Sequence, residues 1–240
     1  EKHVQENEPH DPSLWRRPEM GEVIRKAKEF AARCRRDPKL RTDCQGLEDN
    51  DIHALYVYTL ATEIYRGMND AMRSRERGSP EMEKWKAVIY HIHQALEKLP
   101  SHSVVQLYRG LGGTKVRGYD EGRHVLWPAY SSSTANPKVV KEFTDTGGSL
   151  LILKPLSHEG QGRSIDFLSE FEAEREVLFG SNTWFRVEQR LQEGGKRLLG
   201  ELLGMTWDQM QAIDVYELQE VTQEAADAAQ EKEEDEAREE

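Results

Sequence analysis

Apolar positions along the chain follow two different rhythms. After Pro18, the residues Met20, Val23, Ile24, Ala27, Phe30, Ala31 and Cys34 recur at helical spacing until Pro38 ends the run. Residues 35–49 are charged and irregular. Asp49, Asn50 and Asp51 then form an N-cap cluster for a second helix. Its face is Leu55, Tyr58, Ala61, Tyr65 and Met68, and it continues to about Arg75, before the Gly78-Ser79-Pro80 turn. A third helix runs from Glu81 to Lys98, with Trp85, Val88, Ile89, Ile92, Ala95, Leu96 and Leu99 as its apolar stripe. Pro100 stops it.

Beyond Pro100 the pattern turns β-rich. Strands are expected at Val104 to Arg109 (stopped by Gly110), His124 to Tyr130, Ser149 to Leu153, Val177 to Phe179, Trp184 to Val187 and Ile213 to Leu218. Asn136 to Thr144 reads as a short helix, and Glu188 to Met210 as a Leu-rich helical insertion. Helices followed by strands imply an α+β chain rather than alternating βαβ units. The expected divisions are a lead-in with one helix over 1–49, a main domain over 50–219 and an acidic tail over 220–240, either a solvated helix or disordered.

Composition locates the charge. Residues 220–240 hold ten acidic and two basic side chains, a net of −8 out of −11 for all 240 residues. With no basic face, nucleic acid is not an expected partner. A mean hydropathy of −0.80 also points to a solvated part. The two cysteines, Cys34 and Cys44, form either one small disulfide or two free thiols, and their scarcity favours a reducing compartment. No apolar run approaches the roughly 20 residues of a membrane span. No signal peptide is visible, and a chain that opens on Glu1 reads as a fragment, leaving a removed leader open. The eight histidines show no ligand spacing, so no bound metal is expected. Gly112-Gly113 and Gly147-Gly148 read as turns and complete no nucleotide fingerprint.

Three features carry the candidate chemistry: Arg109 at a strand end, Tyr130-Ser131-Ser132-Ser133-Thr134 after another, and Glu174-Arg175-Glu176 before a third. On a strand, Glu174 and Glu176 would share one face. In this order and with these flanks they resemble the Arg–Ser–Glu class of mono-ADP-ribosyltransferases. Ala54 to Thr59 and Leu96 to Pro100 resemble that family's helical lead-in, Leu107 to Leu111 its first core strand, and Ser169-Glu170-Phe171 its substrate-recognition turn. The resemblance covers about residues 50–220.

What the resemblance implies is a split mixed/antiparallel β-sandwich under N-terminal helices, with NAD bound as a substrate in the cleft. The implied reaction is transfer of ADP-ribose to an arginine of a protein. The alternatives are NAD hydrolysis with water as acceptor, or an inactive NAD-fold binding module. Glu176 would stabilise the cationic ribose, and Glu174 would hold or deprotonate the acceptor guanidinium. Arg109 would grip the diphosphate, and Ser132 would orient Glu176. Gly110 would offer its backbone to the nicotinamide amide and Phe143 would stack on the ring. Ser133, counted with the NAD-binding set, and Thr134 would support the strand. The family's Ser-Thr-Ser appears as Ser132-Ser133-Thr134, or as Ser131-Ser132-Ser133 one residue earlier; the count from Tyr130 favours Ser132. After Glu176 the chain reads Val177-Leu178-Phe179-Gly180, where relatives often carry proline. A cytoplasmic or secreted effector is the expected setting.

Overall fold

The protein is described by a computed structural model covering residues 19–60, 63–74, 76, 78–102, 105–144, 147–156, 160–169 and 172–239, with the side chains of residues 63, 172 and 233–239 outside that description. The expected lead-in over residues 1–13 lies outside it. So do Ala61, Arg75 and Val104, and so do Glu170 and Phe171 of the recognition turn.

Five helices come first: α1 Met20–Arg36, α2 Pro38–Asp43, α3 Asp49–Thr59, α4 Glu63–Arg73 and α5 Pro80–Lys98. The sequence predicted three. Pro38, a stop for α1, also opens α2, because Asp37 accepts from the backbone N–H groups of Lys39 (2.9 Å) and Leu40 (3.1 Å). The expected second helix is two, divided after Thr59, with Leu60 in an extended conformation. Ser79 caps α5 through Met82 N, and Pro80 supplies its first residue.

Asp51 does more than cap. It is buried, accepts from Glu48 N at 3.0 Å, and ties α3 to α5 through Lys98 Nζ at 2.6 Å, with His91 Nδ1 at 3.4 Å. Cys34 and Cys44 are free, buried thiols, so no disulfide closes the loop between them.

Eight strands follow: β1 Leu107–Gly112, β2 His124–Trp127, β3 Ser131–Thr134, β4 Gly148–Lys154, β5 Gly162–Ser164, β6 Glu176–Phe179, β7 Thr183–Arg190 and β8 Ile213–Val221. Helices α6 Glu193–Leu203 and α7 Trp207–Ala212 separate β7 from β8, and α8 Gln223–Glu239 ends the chain. The sheet order is β2-β7-β8-β4-β1-β3-β6-β5, with β4 and β8 parallel and the other pairs antiparallel. Between β1 and β3 the ladder narrows to the pair Tyr108 and Thr134, which divides the sheet into a five-stranded and a three-stranded half.

Period-two alternation assigns the faces. Leu107, Leu111, Leu151, Leu153, Phe185 and Val187 of the larger half share one core with Val177 and Phe179 of the smaller. The Trp127 and Phe179 rings meet edge-on there at 6.1 Å. This is the expected split sandwich. The opposite face of the larger half, with Tyr108, Leu150, Ile152 and Val215, packs under α6 and α7. The smaller half turns Tyr130, Leu178, Ile165 and Leu168 toward α1, α3, α4 and α5. That same core includes Val23, Phe30 and Leu47, so the helices before residue 50 pack with the rest.

Several boundaries differ from the sequence reading. Ser131–Thr134, which none of the expected strands covers, is a strand because it pairs along its whole length with β6 and at Thr134 with β1. Gly110 lies inside β1 rather than ending it. β5 was not anticipated, and β7 extends into the expected insertion. Glu220, counted with the tail, is buried in β8, where its carboxylate accepts from Leu156 N at 2.9 Å and Gln161 N at 2.5 Å. Among the described residues no helix is long and apolar enough to cross a membrane.

Candidate active site

The narrow seam between the two half-sheets is where the candidate residues meet. Arg109 sits between Leu107 and Leu111 on the face of β1 that looks into the sandwich, and only 6% of it is exposed. Its guanidinium donates to the carbonyl of Ser132 at 2.5 Å, crossing from β1 to β3. It also lies over the Trp127 ring, 5.6 Å from the centroid. One planar cation is therefore oriented by a carbonyl and an aromatic face.

Ser132 stands opposite Leu178 on β6, and Glu176 lies one diagonal away. The Ser132 hydroxyl donates to Glu176 Oε1 at 2.6 Å. Ser131 and Ser133 alternate to the other side. Ser133 donates to Val177 O at 2.8 Å, so its hydroxyl is a tie between strands and is not brought to the cleft beside Ser132. Ser131 approaches Ala129 O at 3.4 Å and does not reach Glu176. The count from Tyr130 therefore selects the serine that faces the acid.

Glu176 is nearly enclosed. Burial pushes its carboxyl up to about 7, and the neighbouring charge of Glu174 pushes the same way. Hydrogen bonds from Ser132 and Ser169 and the positive charge of Arg109 oppose the rise. Ser169 belongs to the expected recognition turn, but the sequence assigned it no role; a lone serine after a leucine gives no signal of a carboxylate partner. Trp127 was missed for a similar reason, since a tryptophan on a strand reads as core.

Glu174 reaches the site by a route the sequence did not foresee. The expected shared strand face is not formed. Glu174 ends a 3-10 turn, Glu172–Glu174, and Arg175 adopts a left-handed backbone with φ 48° before β6 begins at Glu176. The kink, not strand alternation, sets the two carboxyls near each other. Glu174 is half-buried, and burial followed by the charge of Glu142 raises its carboxyl.

Gly110 and Phe143 explain each other. A Cβ on Gly110 would stand 2.5 Å from Phe143 Cβ and 2.9 Å from Phe143 O. Only glycine lets the 3-10 helix Pro137–Phe143 lie against β1. Phe143 is half-buried there, so the strand offers a bare backbone beside an aromatic residue. A buried cation for phosphates, a ring for a flat heterocycle and an enclosed acid for a ribose together fit NAD. Among the described residues no three His, Cys, Asp or Glu side chains are grouped to hold a metal ion.

Known proteins resemble this chain in sequence and in fold. The family model described as NAD:arginine ADP-ribosyltransferase matches residues 12–199. Over 158 residues, covering 62% of the chain, the sequence is 28% identical to the NAD(+)–protein-arginine ADP-ribosyltransferase Tre1 of Serratia proteamaculans. That match takes in 31% of the relative, so the chain spans about a third of its length. Among solved structures, the ADP-ribosyltransferase Vis of Vibrio splendidus, in complex with agmatine, superposes with a TM-score of 0.58 at 22% identity, covering 88% of this chain and 90% of Vis. The eukaryotic mono-ADP-ribosyltransferase ART2.2 in complex with NAD gives 0.58 at 21% identity, covering 82% and 76%. At such identities the two structures establish the shared fold.

Proposed function

The chain belongs to the NAD:arginine ADP-ribosyltransferase family, and on that footing we propose that it transfers ADP-ribose from NAD to an arginine side chain of a protein, releasing nicotinamide. The observation that carries the reading is the buried Glu176 carboxylate, held by Ser132 beside Arg109.

The bond that breaks joins the ribose anomeric carbon to the nicotinamide nitrogen. Its electron pair leaves with nicotinamide, and positive charge develops on the ribose, as in glycoside hydrolysis. Glu176 opposes that charge in an enclosed, weakly polarisable setting, where the attraction is strong. It also accepts from the ribose 2′-hydroxyl. Arg109 holds the diphosphate, Phe143 stacks on the nicotinamide, and the Gly110 backbone bonds its amide. Glu174 grips the acceptor guanidinium with two oxygens and takes a proton from it as the new carbon–nitrogen bond forms. Its raised carboxyl suits a proton acceptor.

Water is the competing acceptor. A half-buried carboxylate beside Glu176 favours an organic cation over water, because it supplies the charge that a guanidinium needs to enter the cleft. An inactive module is the weaker reading, because the Arg109, Ser132 and Glu176 positions are all filled and bonded together. The protein acceptor and a role as a secreted effector are part of the same proposal, supported by family membership.

Agmatine carries the acceptor group alone. Incubation with NAD and the protein should yield ADP-ribosyl-agmatine and nicotinamide in equal amounts by mass spectrometry. Free ADP-ribose as the sole product would make the protein an NAD hydrolase, and no nicotinamide above the enzyme-free control would make it a binding module.

A further inference from the structure

Asn136 stands where the two loops of the site meet. One loop is the Glu172–Glu174 turn, which ends on the acceptor carboxylate. The other is the 3-10 helix Pro137–Phe143, which ends on the nicotinamide-side ring. Three consecutive carbonyls of the first loop are held by three consecutive residues next to the second. Asn136 Nδ2 donates to Ala173 O at 2.8 Å, the Thr134 hydroxyl donates to Glu174 O, and Ala135 N donates to Arg175 O at 3.2 Å. Asn136 also works in the other direction. Its Oδ1 accepts from Lys138 N at 3.1 Å, capping the 3-10 helix, and its N–H donates to Thr134 Oγ1 at 2.9 Å.

We propose that Asn136 is a positioning residue that fixes the acceptor turn to the nicotinamide-side helix, and so sets how ADP-ribose is divided between arginine and water. The inference rests on the reading of Glu174 as the acceptor carboxylate. The Glu172–Glu174 turn is three residues long and is followed by a left-handed residue. So short a segment has little structure of its own, and its carbonyl ties decide where the Glu174 side chain points. Of those ties, the one to Ala173 comes from an amide that also caps the facing helix. Both loops therefore shift together or not at all. The charge of Glu142, on the same helix, pushes the Glu174 carboxyl up, so the two loops are electrostatic neighbours as well. Losing about an ångström of alignment at an acceptor group costs rate without costing substrate grip elsewhere.

The dual role of the amide makes the test selective. Asn136→Asp keeps the oxygen that caps Lys138 and removes the donor to Ala173. Asn136→Ser keeps a short capping oxygen, adds no charge and falls short of Ala173. Asn136→Ala removes both functions. Wild type and variants are given NAD and agmatine, and ADP-ribosyl-agmatine and free ADP-ribose are measured from the same reaction, with the KM for each substrate. For Asp and Ser alike, the expected result is a ~10-fold rise in the KM for agmatine, the scale of one hydrogen bond, a larger share of free ADP-ribose and an unchanged KM for NAD. The Ala variant should lose NAD affinity too. A wild type that modifies agmatine, with Asp and Ser variants that divide product as it does, overturns the inference. So does a parallel rise in both KM values in those two variants. A wild type that makes only free ADP-ribose overturns the arginine reading itself, and this inference with it.

Discussion

Ser132 donates to Glu176 at 2.6 Å across a diagonal of the β3–β6 ladder, so the orientation of the buried acid is set by strand register. A slip of one residue would send Ser132 to the other face and put Ser131 or Ser133 before the acid in its place. The bond also tunes the acid. It favours the charged form, against the burial that disfavours it.

Ser132→Ala should therefore move the pH profile as well as lower the rate. Without the donor, the Glu176 carboxyl titrates above its value of about 7. The acid limb of kcat/KM for NAD is expected to shift to higher pH, with part of the activity returning at alkaline pH. A scaled-down profile with an unmoved limb would show that Ser132 leaves the ionisation of Glu176 alone.

Glu176→Gln should abolish nicotinamide release and stabilise the fold at alkaline pH. The folded-state carboxyl lies at about 7 against an ordinary 4.5. The native protein thus holds this proton more tightly than the unfolded chain. Between those two values the ionised side chain becomes a growing cost, absent below 4.5 and complete above 7. The Gln variant is expected to gain roughly 3 kcal/mol at pH 8 and little at pH 4.5, read from urea midpoints. Equal midpoints at pH 8 would mean that the carboxylate is not held at a cost.

Glu174→Gln should separate the two half-reactions. Agmatine modification is expected to fall on the order of 100-fold or more, the scale of a lost general base, while NAD breakdown to free ADP-ribose stays within a few-fold. Equal loss of both would place Glu174 in ribose activation rather than with the acceptor.

Gly110→Ala tests the fit between strand and ring. A methyl group 2.5 Å from Phe143 Cβ must displace the 3-10 helix or the strand. The expected cost is about 1–3 kcal/mol of stability, with a raised KM for NAD because Phe143 moves. A variant with wild-type stability and NAD affinity would show that the close approach is not needed.

Much of the helical part and most strands were legible because each has a local period. Where the sequence misled, the missing information was tertiary. Ser131–Thr134 has no apolar alternation, so no strand was expected there; pairing with β6 along its length, and with β1 at Thr134, imposes its conformation. Pro38 looked only like a stop, though the preceding Asp37 supplies a cap that makes it a start. The apolar face from Leu55 to Met68 looked continuous, and the extended Leu60 that divides it has no signal in hydrophobic spacing.

The site was legible in another sense. Arg109, Ser132 and Glu176 were singled out by order and flanks, not by any local property, and the structure brings all three together. Their contacts cross strands far apart in sequence, which no periodicity reveals. Glu174 was placed in the right neighbourhood for the wrong geometric reason. The Thr134–Asn136 grip on the turn was not visible at all, since Asn136 before Pro137 reads as an ordinary cap.

The seam between the half-sheets has a consequence for how this protein can decay. Where the backbone ladder thins to Tyr108 and Thr134, the Arg109–Ser132 bond bridges what the main chain leaves open. A group proposed for chemistry is thus also a fastener of the architecture. Removing the Arg109 guanidinium silences the site and loosens the sandwich together, so a copy dead at Arg109 would tend to be an unstable one, whereas a copy dead through Glu176→Gln would not.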